Sequence, residues 1–253
     1  MTGITGSDEE LAQRAIGLLE LTSLNNDDTV ERIIALCHRA MTPFGPVAAV
    51  CVAPRFAGLA RRTLDDWQAR EIKVVAAVNF PGGTASTQTV ESQTQAALMA
   101  GADEIDLVYP FRALMAGNRL AGAQMLTACK AICEGRAGLT VTLETGVLRD
   151  PQIIHDVCRR VIEVGPAFIK TSTGKVCVNV TPQAARIMIE AIAELGGQVG
   201  FKAAGGVHTL AQANLYLDMA LSRFGPLWFG PDKVRIGAAS LLDDLLLRLG
   251  MCG

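Results

Sequence analysis

The chain has 253 residues, half of them hydrophobic, and 23 Lys and Arg against 25 Asp and Glu give a formal charge of −2. That length suits two ordinary domains or one α/β barrel of about 250 residues. The balanced charge, with no run of five like charges, excludes a basic nucleic-acid surface, and no apolar stretch reaches the roughly 20 residues of a bilayer span.

The opening MTGITGSDEE is polar and acidic, unlike a secretory leader. Seven cysteines (Cys37, Cys51, Cys129, Cys133, Cys158, Cys177 and Cys252) lie scattered without a C-x-x-C pair, which predicts reduced thiols in a cytoplasmic protein. Cys129 and Cys133 stand one helical turn apart. Neither a third cysteine nor His38, His155 or His208 lies near enough in sequence to complete a zinc set, so no metal is expected.

In chain order, Ser7 caps a short helix over 7–15, with Glu10 at the capping-box position. An apolar run over 16–22 carries Glu20 and Thr22 near its end. Residues 25–28 form a turn, and an amphipathic helix follows over 29–40. Further apolar runs fall at 47–53, 73–79, 104–109, 139–144, 167–172, 199–204 and 234–238, which makes eight. Helical patterns separate them at 56–68, 87–99, 120–134, 151–164, 182–195 and 210–221, with a last one at 241–249. Asp150 before Pro151, Thr181 before Pro182, and Thr209 are start signals. Strands rich in Val and Ile without strict alternation are buried on both faces, as in a parallel sheet. Eight strands alternating with helices, without a linker, predict a single-domain (β/α)8 barrel over 1–253 with a short extra N-terminal helix. A doubly wound open sheet is the alternative, because periodicity does not reveal closure.

In such a barrel the reactive groups collect at the C-terminal ends of the strands. Polar residues do interrupt these runs late: Thr22, Cys51, Asn79, Asp106, Glu144, Lys170 and Lys202. Two are lysines inside apolar segments, Phe168-Ile169-Lys170-Thr171-Ser172-Thr173-Gly174-Lys175 and Val199-Gly200-Phe201-Lys202-Ala203-Ala204-Gly205-Gly206. An ordinary lysine is only ~0.04% neutral at pH 7, and burial or a neighbouring cation raises that fraction. One lysine is therefore read as a nucleophile and the other as its electrostatic activator, with Asp106 holding the second lysine's charge and shuttling protons. A structural ion pair between Asp106 and one lysine is the plain alternative. The turns at Gly174-Lys175, Gly205-Gly206 and Gly237-Ala238-Ala239-Ser240 follow late strands, where backbone N–H groups and helix N-termini bind phosphate.

The two lysine segments, Ala102-Asp103-Glu104-Ile105-Asp106, Leu21-Thr22-Ser23-Leu24-Asn25, Cys51-Val52-Ala53-Pro54-Arg55-Phe56, Val78-Asn79-Phe80-Pro81 and the stretch from Tyr109 to Asn118 resemble the deoxyribose-phosphate aldolase family. The similarity runs from about residue 19 to 249. It implies a cofactor-free, Schiff-base aldolase, a homodimer, that cleaves 2-deoxy-D-ribose 5-phosphate to acetaldehyde and D-glyceraldehyde 3-phosphate in deoxyribose breakdown. By motif match, Lys170 takes the Schiff-base role, Lys202 perturbs it, and Asp106 serves the proton relay. Glu20, Thr22, Cys51, Thr171, Gly174, Lys175, Gly205, Gly206, Gly237 and Ser240 match substrate-binding positions.

Several residues depart from the family pattern. Glu20 stands where Asp is common, His208 where Arg is usual, Ala203 for a proline, and Ala239 for the first serine of a Gly-Ala-Ser-Ser turn; a C-terminal tyrosine tail is missing. These departures predict a greater tolerance of non-phosphorylated aldehydes. The rival readings are another lysine-dependent aldolase or transaldolase acting on a sugar phosphate, and a non-catalytic sugar-phosphate-binding barrel.

Overall fold

The structure is a computed structural model that describes residues 6–251; Cys252 lies outside them. Eight strands form a closed parallel barrel: β1 (Leu19–Ser23), β2 (Ala49–Val52), β3 (Lys73–Val78), β4 (Glu104–Val108), β5 (Gly138–Thr142), β6 (Phe168–Lys170), β7 (Gly200–Ala204) and β8 (Val234–Ala238). Closure is made by β1, which pairs with β2 through Thr22 opposite Cys51 and with β8 through Glu20 opposite Gly237. The open-sheet alternative is thereby excluded. Most strand residues are buried, since one face packs against helices and the other fills the barrel interior.

The start signals work as read. Ser7 and Glu10 form a reciprocal capping box, Asp150 accepts from the Gln152 and Ile153 N–H groups, Thr181 accepts from Ala184, and Thr209 forms a second box with Gln212. The N-terminal helix is longer than its expected 7–15. It runs Asp8–Gly17 and packs against helices Leu210–Phe224 and Leu241–Arg248. Ile16, expected to open the first strand, is instead buried on this helix, because an apolar residue serves the helix face as well as a strand. A two-stranded hairpin (Met41–Thr42 with Gly45–Pro46) and two short helices, Phe111–Met115 and Thr145–Leu148, were not legible as separate elements.

Two of the late polar residues end their strands through the backbone. Asn79 and Glu144 both adopt left-handed conformations, φ 58° and 57°. The Asn79 side chain donates to Val108 O and accepts from Ala85 N–H, so it fastens the loop it begins.

Candidate active site

The sheet register brings the charged residues together. Lys170 on β6 lies opposite Lys202 on β7, and Lys202 lies opposite Arg235 on β8. Strand side chains alternate between faces, so residues in register share one. Here all three cations enter the barrel interior, where they meet carboxylates from β1 and β4. Lys170 Nζ donates to Asp106 Oδ2 at 2.6 Å and lies 3.9 Å from Glu20 Oε1. Lys202 Nζ donates to Glu20 Oε2 at 2.6 Å and to Glu104 Oε2 at 3.2 Å. Arg235 grips Glu104 with both terminal nitrogens, at 2.9 and 2.8 Å. Thr142, beside Lys170 in register, donates to the other Asp106 oxygen at 2.6 Å. Both Lys202 and Arg235 lie over the Phe168 ring, 4.4 and 4.9 Å from its centroid.

This pairing corrects the sequence-based expectation in two respects. Asp106 holds Lys170, the proposed nucleophile, while Glu20 and Glu104 hold Lys202. Nor is the Lys170 ammonium pushed down. Burial acts to lower its pKa, but Asp106, Cys51 and Glu20 outweigh burial and raise it. Glu20 shows the converse: burial disfavours its charge, yet Lys202, Lys170 and Arg235 bring its carboxyl down to about 2. Glu104 is likewise lowered, burial being overcome by Lys202 and Arg235. The Cys51 thiol is raised well above its ordinary value by burial.

Above the cluster, at the C-terminal mouth of the barrel, lies a cavity of about 160 Å³ with Lys170 in its wall. Thr22, Gly174, Lys175, Gly205, Gly206 and Gly237 also line it. Glu20, Cys51, Asp106 and Lys202 are buried beneath. Two more of the expected positions are not in this lining. The Thr171 hydroxyl donates to Ala204 O and accepts from Ala204 N–H, which ties the end of β6 to β7. Ser240 sits outside the lining, hydrogen-bonded to His208 Nδ1 at 2.9 Å. Glycine is required at 205: its φ is +86°, and a Cβ would come within 2.7 Å of the Asn179 side chain.

Sequence reasoning passed over four residues. Asn25 Oδ1 accepts from Lys175 Nζ at 2.9 Å, linking two sides of the cavity, and Thr173 lines it. Thr173 in turn donates its hydroxyl to Glu144 Oε2 at 2.5 Å and accepts from Lys175 N–H at 3.1 Å. Burial raises the Glu144 carboxyl. Glu104 and Arg235 complete the buried cluster, and the signal that marks the lysines also marks Arg235, a charge within a buried apolar strand. Among the described residues, Glu20, Cys51 and Asp106 are close enough to share a metal ion, but their carboxylates already neutralise the two lysines.

A solved structure named as a putative deoxyribose-phosphate aldolase from Toxoplasma gondii ME49 superposes with a TM-score of 0.87. It is 26% identical, over 96% of this chain and 98% of that one. One of the same printed name from Coccidioides immitis gives a TM-score of 0.80 at 25% identity, over 92% and 86%. The deoxyribose phosphate aldolase from Aeropyrum pernix, described as tetrameric, shares the fold with a TM-score of 0.74 at 24% identity, over 97% and 93%. The family model for DeoC/LacD family aldolase matches residues 14–246. With a lysine-bearing cavity at the mouth of a closed (β/α)8 barrel and a match across nearly the whole chain, this protein belongs to the DeoC/LacD family of aldolases.

Proposed function

We propose that the chain is a deoxyribose-phosphate aldolase that cleaves 2-deoxy-D-ribose 5-phosphate reversibly to acetaldehyde and D-glyceraldehyde 3-phosphate, through a Schiff base on Lys170. The observation that carries this reading is Lys170 itself: a buried lysine that opens onto the cavity, bonded to Asp106, with a second buried lysine in register beside it. Entry of the open-chain aldehyde lets Lys170 pass its proton to Asp106. The freed amine attacks C1, Asp106 returns the proton to the C1 hydroxyl, and its departure as water gives the iminium and restores the Asp106 carboxylate. Asp106, relaying through water, takes the C3 hydroxyl proton as the C2–C3 bond breaks, and the bonding electrons move into the iminium to form an enamine. Protonation at C2 and hydrolysis then release acetaldehyde and restore the amine. The positive-φ turns at Gly174, Gly205 and Gly206, with Lys175, supply N–H groups and a cation for the 5-phosphate. His208 shares the phosphate end with Ser240 and carries no guanidinium fork, which supports a weaker preference for phosphorylated substrate.

Borohydride trapping with acetaldehyde, followed by peptide mass spectrometry, tests the reading. A stable two-carbon adduct on Lys170, lost in Lys170→Ala, is expected. An adduct on Lys202 would reverse the lysine roles. No adduct on folded protein would leave a non-catalytic sugar-phosphate binder. Acetaldehyde among the products of sugar cleavage distinguishes this activity from a lysine-dependent aldolase with a three-carbon ketone donor.

A further inference from the structure

Six charged side chains cross the barrel interior in strict alternation: Arg235, Glu104, Lys202, Glu20, Lys170 and Asp106. Each lies within 4 Å of the next. All six are buried, and the Asp106 end is closed by the Thr142 hydroxyl. The Schiff-base mechanism uses only one end of this chain. At the other end, the Arg235 fork takes both oxygens of Glu104, and its Nε donates to Pro231 O at 2.6 Å. A carboxylate gripped in this way has a fixed plane. Its Oε2 is shared, accepting from Arg235 and from Lys202 together. Lys202 is thus held between Glu104 and Glu20, and the Glu20 oxygen that faces Lys170 at 3.9 Å has no hydrogen-bond partner among the described residues.

We propose that Glu104 and Arg235 are positioning residues of the reaction: Arg235 fixes Glu104, Glu104 holds Lys202 against Glu20, and the resulting charge balance sets the pH at which Lys170 becomes nucleophilic. The inference rests on the Schiff-base reading above. Stability alone gives little reason for this arrangement, since well-packed apolar residues often serve a barrel interior as well as buried ion pairs do. Arg235 keeps its proton throughout the physiological range, so it anchors the chain with a charge that does not titrate. Among the described residues, the other ionisable groups facing the cluster are Cys51 from β2, Glu144 just beyond β5, and Asp232 beside Arg235.

Removing the Glu104 charge acts on Lys170 in two ways with the same sign. One anion is lost from the cluster, and Lys202 comes to depend on Glu20 alone, drawing that carboxylate away from Lys170. Both effects favour the neutral amine. The test is the rate of Lys170 adduct formation with acetaldehyde and cyanoborohydride, measured against pH alongside thermal melts. Glu104→Gln is expected to lower the midpoint of that profile by about one pH unit, and Glu104→Asp, which keeps the charge, to stay near the wild type. A wild-type adduct with an unmoved midpoint in folded Glu104→Gln overturns this inference alone, because a merely structural pair would shift only the melt. No adduct in the wild type overturns both this inference and the aldolase reading. If Glu104→Gln does not fold, Glu104→Gln/Arg235→Met removes the stranded cation as well. That variant is expected to trap about tenfold more slowly at its plateau, since Lys202 loses one of its two anchors; a wild-type rate and midpoint would overturn the inference.

Discussion

Glu20→Gln removes the central anion of the buried chain while keeping its shape. In the wild type, Glu20 lies 2.6 Å from Lys202, 3.6 Å from Arg235 and 3.9 Å from Lys170, and is fully buried. Two routes give the magnitude. Removing one partner of a buried pair costs about 3–5 kcal/mol. Independently, a carboxyl moved from 4.5 to about 2 contributes roughly 3 kcal/mol at neutral pH. The folded-state pKa is depressed, so this contribution is fully present above the unfolded value. It is lost as pH falls from about 5 towards 2, and roughly half remains near pH 3. Urea unfolding at pH 7 should show Glu20→Gln destabilised by about 3 kcal/mol with an unchanged m-value. That corresponds to a melting point lower by about 6 °C for a chain of this length. Repeated at lower pH, the gap between wild type and variant should narrow. Equal stability at pH 7, or a gap independent of pH, would refute the electrostatic account of Glu20.

Gly146→Ala would place a Cβ 1.6 Å from Val178 O, in the segment that follows the Lys175 turn, so the backbone must move. We expect a loss of about 2–3 kcal/mol in urea unfolding together with reduced turnover; Gly17→Ala, with open space around its Cβ, should lose neither. His208→Arg adds a fixed guanidinium where His208 now meets Ser240. It should lower KM for 2-deoxyribose 5-phosphate about tenfold and leave KM for unphosphorylated 2-deoxyribose unchanged. Equal changes for both substrates would place the phosphate elsewhere.

Much of this molecule is set by local chemistry and is therefore legible in the sequence. Ser7, Asp150, Thr181 and Thr209 cap helices because each side chain meets an N–H two or three residues away. The eight buried runs mark strands because both faces of a barrel strand are covered. Lys170, Lys202 and Asp106 stand out because a charge inside an apolar strand needs a partner. The identity of that partner is not a local matter. Lys170 finds Asp106 across 64 residues, Lys202 finds Glu20 across 182, and Arg235 finds Glu104 across 131. Period-two alternation puts these side chains in the barrel interior. Closure of β1 between β2 and β8, and the stagger of the strands, decide which height in that interior each one reaches. The sequence by itself determined eight strands alternating with helices and, within those strands, two lysines and a carboxylate that need partners; closure into a barrel was left to the structure. Only the tertiary structure gave Asp106 to Lys170, Glu20 and Glu104 to Lys202, and Arg235 to the far end of the chain, because pairing at this range depends on strand register rather than on neighbours along the backbone.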